Sequence, residues 1–136
     1  MKVLVIDAQG GGVGKTIISA IKAKYENVEI TAVGTNTTAT GAMLKAGADH
    51  VATGENPVVV GCRTADVIIG PIGIVIADSM YGEITPKMAV AVGQSNAKRI
   101  LIPANHCDNH VVGVSNYQLG QLVEEAMEEL GRVCSI

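Results

Sequence analysis

The chain reads as a single α/β domain, doubly wound, with a mainly parallel sheet of about five strands and helices on both faces. Short apolar runs of strand length alternate with segments of helical period along the whole chain. The first run, Val3-Leu4-Val5-Ile6, is apolar at every position, the pattern of a strand buried on both faces. A glycine turn, Gln9-Gly10-Gly11-Gly12-Val13-Gly14-Lys15, follows it and leads into an amphipathic segment. The 136 residues make one domain, 1–136, long enough to bury roughly two thirds of the chain surface in one core.

Residues 2–6 form the first strand. A helix over 13–25 follows, with Ile17, Ile18, Ile21 and Tyr25 on one stripe and Lys22, Lys24 and Glu26 on its wet side or end. A second strand covers 28–33 and stops at Gly34. Thr35-Asn36-Thr37 can cap the next helix through a side-chain oxygen, Ala39, Ala42, Met43 and Ala46 form its buried stripe, and Gly47 ends it. A short strand at 50–52 precedes Asn56-Pro57, read as an N-cap with proline at the first helical position. Residues 58–62 carry three valines, which favour strand, but the cap favours helix, and helix is the reading adopted. The strand at 66–70 runs into a second glycine turn, Pro71-Ile72-Gly73. Thr85-Pro86 opens a helix with Met88, Ala89 and Val92 inward, and a strand at 100–102 ends at Pro103. Ser115 and Gln118 form a capping box for the last helix, where Leu119, Leu122, Val123, Ala126, Met127 and Leu130 repeat at helical spacing.

Composition narrows the function. The net charge of −3, with no run of basic residues, offers no built-in attraction to nucleic acid or anionic membrane. Tyr25, Tyr81 and Tyr117 are the only aromatic residues, so a stacking platform for single strands is missing as well. The longest apolar stretch, 67–77, is broken by glycine and proline and is too short to span a bilayer. The start of the chain leads straight into a strand with an acidic residue behind it, unlike a secretory signal. Cys62, Cys107 and Cys134 give neither an even framework nor a C-x-x-C pair, and a reducing cytoplasm is the expected location. The aliphatic content exceeds what one small core hides, so a homodimer is expected.

The first glycine turn carries the functional reading. Glycines let the backbone approach a ligand, and the helix start behind them offers unpaired N–H groups and a positive dipole end, a setting suited to phosphate. Two patterns fit in part. A strict Walker A loop fails at Gln9, which stands where its first glycine belongs, but Gly11-Gly12-Val13-Gly14-Lys15-Thr16 fits the variant loop of ParA/MinD-type ATPases, with Gly10 in place of that family's signature lysine. The spaced turn of short-chain dehydrogenases fits as Ala8, Gly12 and Gly14. A glycine turn that merely packs a helix on a sheet is the plain alternative.

In an open parallel sheet the ligand crevice lies outside the carboxyl ends of the strands. That rule gathers residues 9–14, 34–37, 70–73 and 103–110 along one edge. At the place where a dinucleotide site holds its ribose carboxylate, this chain has Gly34-Thr35-Asn36-Thr37, with no acid for NAD and no nearby arginine for NADP. For an ATPase, Lys15 would reach the phosphates, Thr16 would bind Mg²⁺, and Ile74-Val75-Ile76-Ala77-Asp78 would supply the acidic strand end. No tyrosine is followed four residues later by lysine, as a short-chain dehydrogenase requires. His106-Cys107-Asp108-Asn109-His110 holds four candidate ligands in five residues, but no further pair stands at metal spacing, and a polar crevice loop is the preferred reading, with no metal assigned. Residues 81–85, punctuated by Gly82, are expected to form a mobile cover near the crevice, or a plain connector.

The whole chain also resembles a small bacterial family catalogued only as a domain of unknown function. The residues that carry the resemblance are Gly10 to Lys15, Gly34-Thr35-Asn36, Ala46-Gly47-Ala48, Ala52 to Asn56, Gly70 to Ile74 and Gly82 to Pro86. It implies a cytoplasmic, Rossmann-like protein and no known activity. The expected role is therefore that of a nucleotide- or dinucleotide-binding protein whose reaction, if any, is undefined. Gln9, Gly10, Gly11, Gly12, Val13, Gly14 and Lys15 are expected at the phosphate, Thr35 and Asn36 at a sugar or second phosphate, and Gly70, Ile72 and Gly73 at the far half of the ligand. NAD or NADP is the first cofactor expected, with an NAD(P)-dependent oxidoreductase as one alternative and a P-loop-like ATPase using ATP and Mg²⁺ as the other.

Overall fold

A computed structural model describes residues 1–104, 108–114 and 118–134. Its strands are β1 (Lys2–Asp7), β2 (Glu29–Gly34), β3 (His50–Thr53), β4 (Val67–Pro71) and β5 (Lys98–Ile102). The helices are α1 (Gly12–Lys24), α2 (Thr37–Ala46), α3 (Glu55–Thr64), α4 (Pro86–Gln94) and α5 (Leu119–Cys134). All strand pairs are parallel and the sheet order is β3-β2-β1-β4-β5. The doubly wound Rossmann-like arrangement is thus present, with β1 at the centre.

Alternation along the strands divides the interior into two cores. Val3 and Val5 face α1, α2 and α5, where Ile17, Ile18, Ile21, Met43 and Met127 fill the space. Leu4 and Ile6 face α3 and α4, against Val58, Cys62, Met88 and Val92. Tyr25 ties the first layer together by donating its hydroxyl to the Met127 carbonyl at 2.9 Å. Burial raises the Cys62 thiol to about 11, so it stays a neutral core group.

Several boundaries move. The segment read as 58–62 is helical, but α3 begins earlier, at Glu55, behind Gly54 at φ 111°. Pro57 then lies in the first turn, where its missing N–H costs no intrahelical bond. Asn36 caps α2 by accepting from the Ala39 N–H at 2.9 Å, Thr85 caps α4, and Gly47 ends α2 at φ 114°. Of the capping box assigned to the last helix, Ser115 lies outside the described residues. Helix α5 starts at Leu119, and there the Gln118 carbonyl accepts from the Leu122 N–H at 3.2 Å.

Residues 74–78 do not form a strand. The chain leaves β4 in a short 3₁₀ turn, Ile72–Val75, and Asp78 is exposed in the following loop at φ 64°. The acidic strand end that an ATPase would need is therefore not formed by Asp78. Pro71 ends β4 and the 3₁₀ turn follows it directly, so no new strand begins there.

Candidate functional site

The glycine turn sits at the carboxyl end of β1, on a sheet edge where the first crossovers run to β2 and β3 and the later ones to β4 and β5. This is the switch point at which an open α/β sheet leaves a crevice. Beneath the turn lies Asp7, the last residue of β1 and 2% exposed. Its carboxylate accepts from the Ala8 N–H at 2.8 Å and from the Gly14 N–H at 2.6 Å. Burial raises its pKa, the Gly14, Ala8 and Val13 N–H groups oppose that rise, and the negative charge of Glu83 adds to it. Asp7 therefore fastens the inner side of the α1 N-terminus and leaves the outer side of the turn to other groups.

The four glycines have different surroundings. Gly11, at φ 74°, lies so close to α2 that a Cβ would stand 2.9 Å from the Ala39 backbone. At Gly14 a Cβ would meet the Met43 sulfur at 2.5 Å. Both glycines serve packing. Gly10 and Gly12 have no positive φ, and a Cβ on either would meet no described atom within 4 Å. They line an open cleft of about 350 Å³, walled by Asp7 to Val13 on one side and by Ala104 and Leu119 on the other. Val13 is in the wall, whereas Lys15 is exposed on the first turn of α1 and outside the cleft lining. The Thr16 hydroxyl donates to the Gly12 carbonyl at 2.8 Å.

On the β2 side the crevice is occupied by the protein itself. One oxygen of Glu83, Oε1, accepts from the Thr35 hydroxyl at 2.6 Å, the Asn36 amide at 2.8 Å and the Gln9 N–H at 2.9 Å. Asn36 also donates to the Gln9 carbonyl at 3.0 Å, which holds Gln9 at φ 52° from both of its backbone groups. Burial acts to raise the Glu83 pKa, but the Thr35, Gln9 and Asn36 donors outweigh it and the carboxyl ends below its ordinary value. Sequence reasoning placed no acid at the end of β2. The fold brings one there from 48 residues further along the chain than Thr35, a distance that no local spacing rule could have shown.

The segment expected to be a mobile cover, 81–85, is anchored in the core at Ile84 and through Met80 just before it. Ile84 is fully buried and Met80 nearly so, and both belong to the core beneath α4. The Asp78 N–H donates to the Ile84 carbonyl at 2.7 Å, and the Gly82 N–H to the Asp78 carbonyl at 3.1 Å. Tyr81, 96% exposed, and Gly82 lie at the surface. The connector reading is the one this packing favours.

The second glycine turn is filled. A Cβ on Gly70 would approach the Ile6 carbonyl oxygen to 2.5 Å, and one on Gly73 would meet Met80 at 3.0 Å and Ser79 at 3.1 Å. Ile72 is half-buried. Neither Gly70, Ile72 and Gly73 nor Thr35 and Asn36 line the cleft that Gly10 and Gly12 line. In the loop after β5, His106 and Cys107 lie outside the described residues, while Asp108 and His110 are exposed. Among the described residues no three His, Cys, Asp or Glu side chains converge as a metal site, and no helix is long and apolar enough to cross a membrane.

Residues 2–135 match a family described as a domain of unknown function, DUF3842. No curated protein matches the chain. Among solved structures, a dodecameric FMN-dependent UbiX-like decarboxylase from Escherichia coli O157:H7 aligns over 98% of this chain and 76% of its own, at 21% identity and a TM-score of 0.48. Likeness at that level says nothing about chemistry.

Proposed function

The chain belongs to the DUF3842 family, and we propose that it binds a nucleotide, or a small molecule phosphorylated like one, with the phosphate against Gly10 and Gly12 at the N-terminus of α1. The observation that carries this reading is the open space over those two glycines. Both have backbone angles that other residues adopt, and neither is needed for packing, but both are exposed and line an open cleft at the positive end of a helix. Among the described residues the Gly12 N–H has no protein partner, as befits the first position of a helix.

Binding ranks above catalysis. The titratable side chain in the described lining is Asp7, and it is turned inward to the Gly14 and Ala8 N–H groups. An NAD(P)-dependent oxidoreductase would need a proton donor there. A P-loop-like ATPase would need Thr16 free for Mg²⁺ and an acid at a strand end, but Thr16 bonds Gly12 and Asp78 lies in a loop. Association into a homodimer belongs to the same reading, supported by the exposed Leu44, Val60 and Val90, and a monomeric mass by light scattering at micromolar concentration would remove it.

Thermal unfolding with NAD, NADP, ATP with Mg²⁺, GTP and S-adenosylmethionine tests the proposal. A ligand present at a hundred times its dissociation constant adds about 2.7 kcal/mol of stability. The expected shift is lost in Gly12→Val and kept in Lys15→Ala. A Mg²⁺-dependent shift lost in both variants would move the reading to the ATPase, and no shift with any of them would end the nucleotide hypothesis.

A further inference from the structure

We infer that Glu83 restricts the site to mononucleotides by closing the β2 half of the crevice, where the second nucleoside of a dinucleotide would lie. The inference rests on the nucleotide reading above and names the ligand class within it.

In an open sheet of this order a dinucleotide straddles the switch point, with its phosphates at the first glycine turn and one ribose on polar groups at the end of the second strand. The groups available there are the Thr35 hydroxyl and the Asn36 amide, and both donate to a single oxygen of Glu83, at 2.6 and 2.8 Å. The same oxygen takes the Gln9 N–H at 2.9 Å. A ribose entering from that side would have to displace a carboxylate that already satisfies three donors, and charge-assisted bonds of this kind are the stronger ones. The displacement is also opposed by the loop that carries Glu83, because Met80 and Ile84 on either side of it are buried. On the other side of Gly10 and Gly12 the cleft is open among the described residues, bounded by Ala104 and Leu119, and its 350 Å³ is at the small end for a ligand pocket. One phosphate and one nucleoside directed toward β5 fit this asymmetry.

The test compares mononucleotides with the dinucleotides that contain them, FMN with FAD and AMP with NAD, by isothermal titration on the full chain. In the wild-type protein the mononucleotide of whichever pair binds should bind at least as tightly as its dinucleotide. Glu83→Ala, with Glu83→Gln as the milder variant in case the first fails to fold, should improve the dinucleotide by about tenfold relative to the mononucleotide. Dinucleotide binding about tenfold tighter than mononucleotide in the wild type overturns the inference while leaving the nucleotide reading intact. So does a folded Glu83→Ala or Glu83→Gln that leaves the ratio unchanged, or one that weakens the dinucleotide, which would make Glu83 a ribose ligand. If no member of either pair binds, this inference fails, and the nucleotide reading fails with it only if NADP, ATP with Mg²⁺, GTP and S-adenosylmethionine leave thermal unfolding unchanged as well.

Discussion

The carboxyl ends of β1 and β4, each with the turn that follows, stand side by side at the same edge of the sheet, and a methyl group added to the glycines there would meet opposite surroundings. At Gly70 it would strike the Ile6 carbonyl oxygen, and at Gly73 the Met80 and Ser79 side chains. At Gly10 and Gly12, which line the cleft, it would meet no described atom within 4 Å. A glycine can be required because neighbouring backbone comes too close or because something outside the chain must come close, and a sequence writes both with the same letter. The contrast divides the glycines at this edge into those that hold the fold and those whose Cβ position meets no described atom.

Gly70→Ala should have the largest effect. Backbone of the adjacent central strand stands 2.5 Å from the new atom and cannot swing aside as a flexible side chain can, so a loss of about 3 kcal/mol is expected in denaturant unfolding. Near-neutral behaviour would show that β1 and β4 can separate and would dissolve the distinction between the two turns. Asp7→Asn should come next, at about 2 kcal/mol. The carboxylate serves the Ala8 and Gly14 N–H groups with different oxygens, and an amide would turn its own donor toward one of them. An unchanged midpoint would mean that the inner side of the α1 N-terminus does not depend on this acid.

Glu83→Gln should cost about 1 kcal/mol at neutral pH, because Gln keeps one acceptor but loses the charge. The difference should shrink on acidification. A glutamate whose folded pKa is lowered contributes its stability above the ordinary value of about 4.3 and loses it as pH falls through the folded value. Asp7 acts in the opposite direction, since its raised folded pKa makes the ionised form a penalty that protonation relieves. Because the Glu83 charge also acts on Asp7, comparing Asp7→Asn with the double variant Asp7→Asn/Glu83→Gln from about pH 7 to about pH 3 isolates the Glu83 contribution, and a gap that widens as pH falls would contradict the assignment of its pKa direction. The smallest effect on folding belongs to Gly12→Ala. With open space and an ordinary φ, alanine should gain about 0.4 to 1 kcal/mol by restricting the unfolded chain. The same variant should weaken any ligand that places phosphate on the Gly12 N–H, so increased stability with unimpaired binding would locate the ligand elsewhere.

Much of this architecture was legible in the sequence for physical reasons that act locally. Val3 to Ile6 are apolar at consecutive positions because a central parallel strand is covered on both faces, and Thr85-Pro86 and Gly47 mark helix ends through groups only a few bonds away. The turn between β1 and α1 is announced by its glycines for the same reason. Less legible were the residues at the site that act across the chain. Thr35 and Asn36 look available for a sugar until folding brings Glu83 onto them, and Asp7 looks like the end of a strand until α1 closes over it and its carboxylate becomes the acceptor for Gly14. Local pattern thus determined which segments become strands and helices and where the chain turns, since period, capping and backbone freedom are properties of neighbouring residues. Which glycines stay open and which polar groups are already satisfied was decided only by tertiary structure, because both depend on atoms brought together from distant parts of the chain.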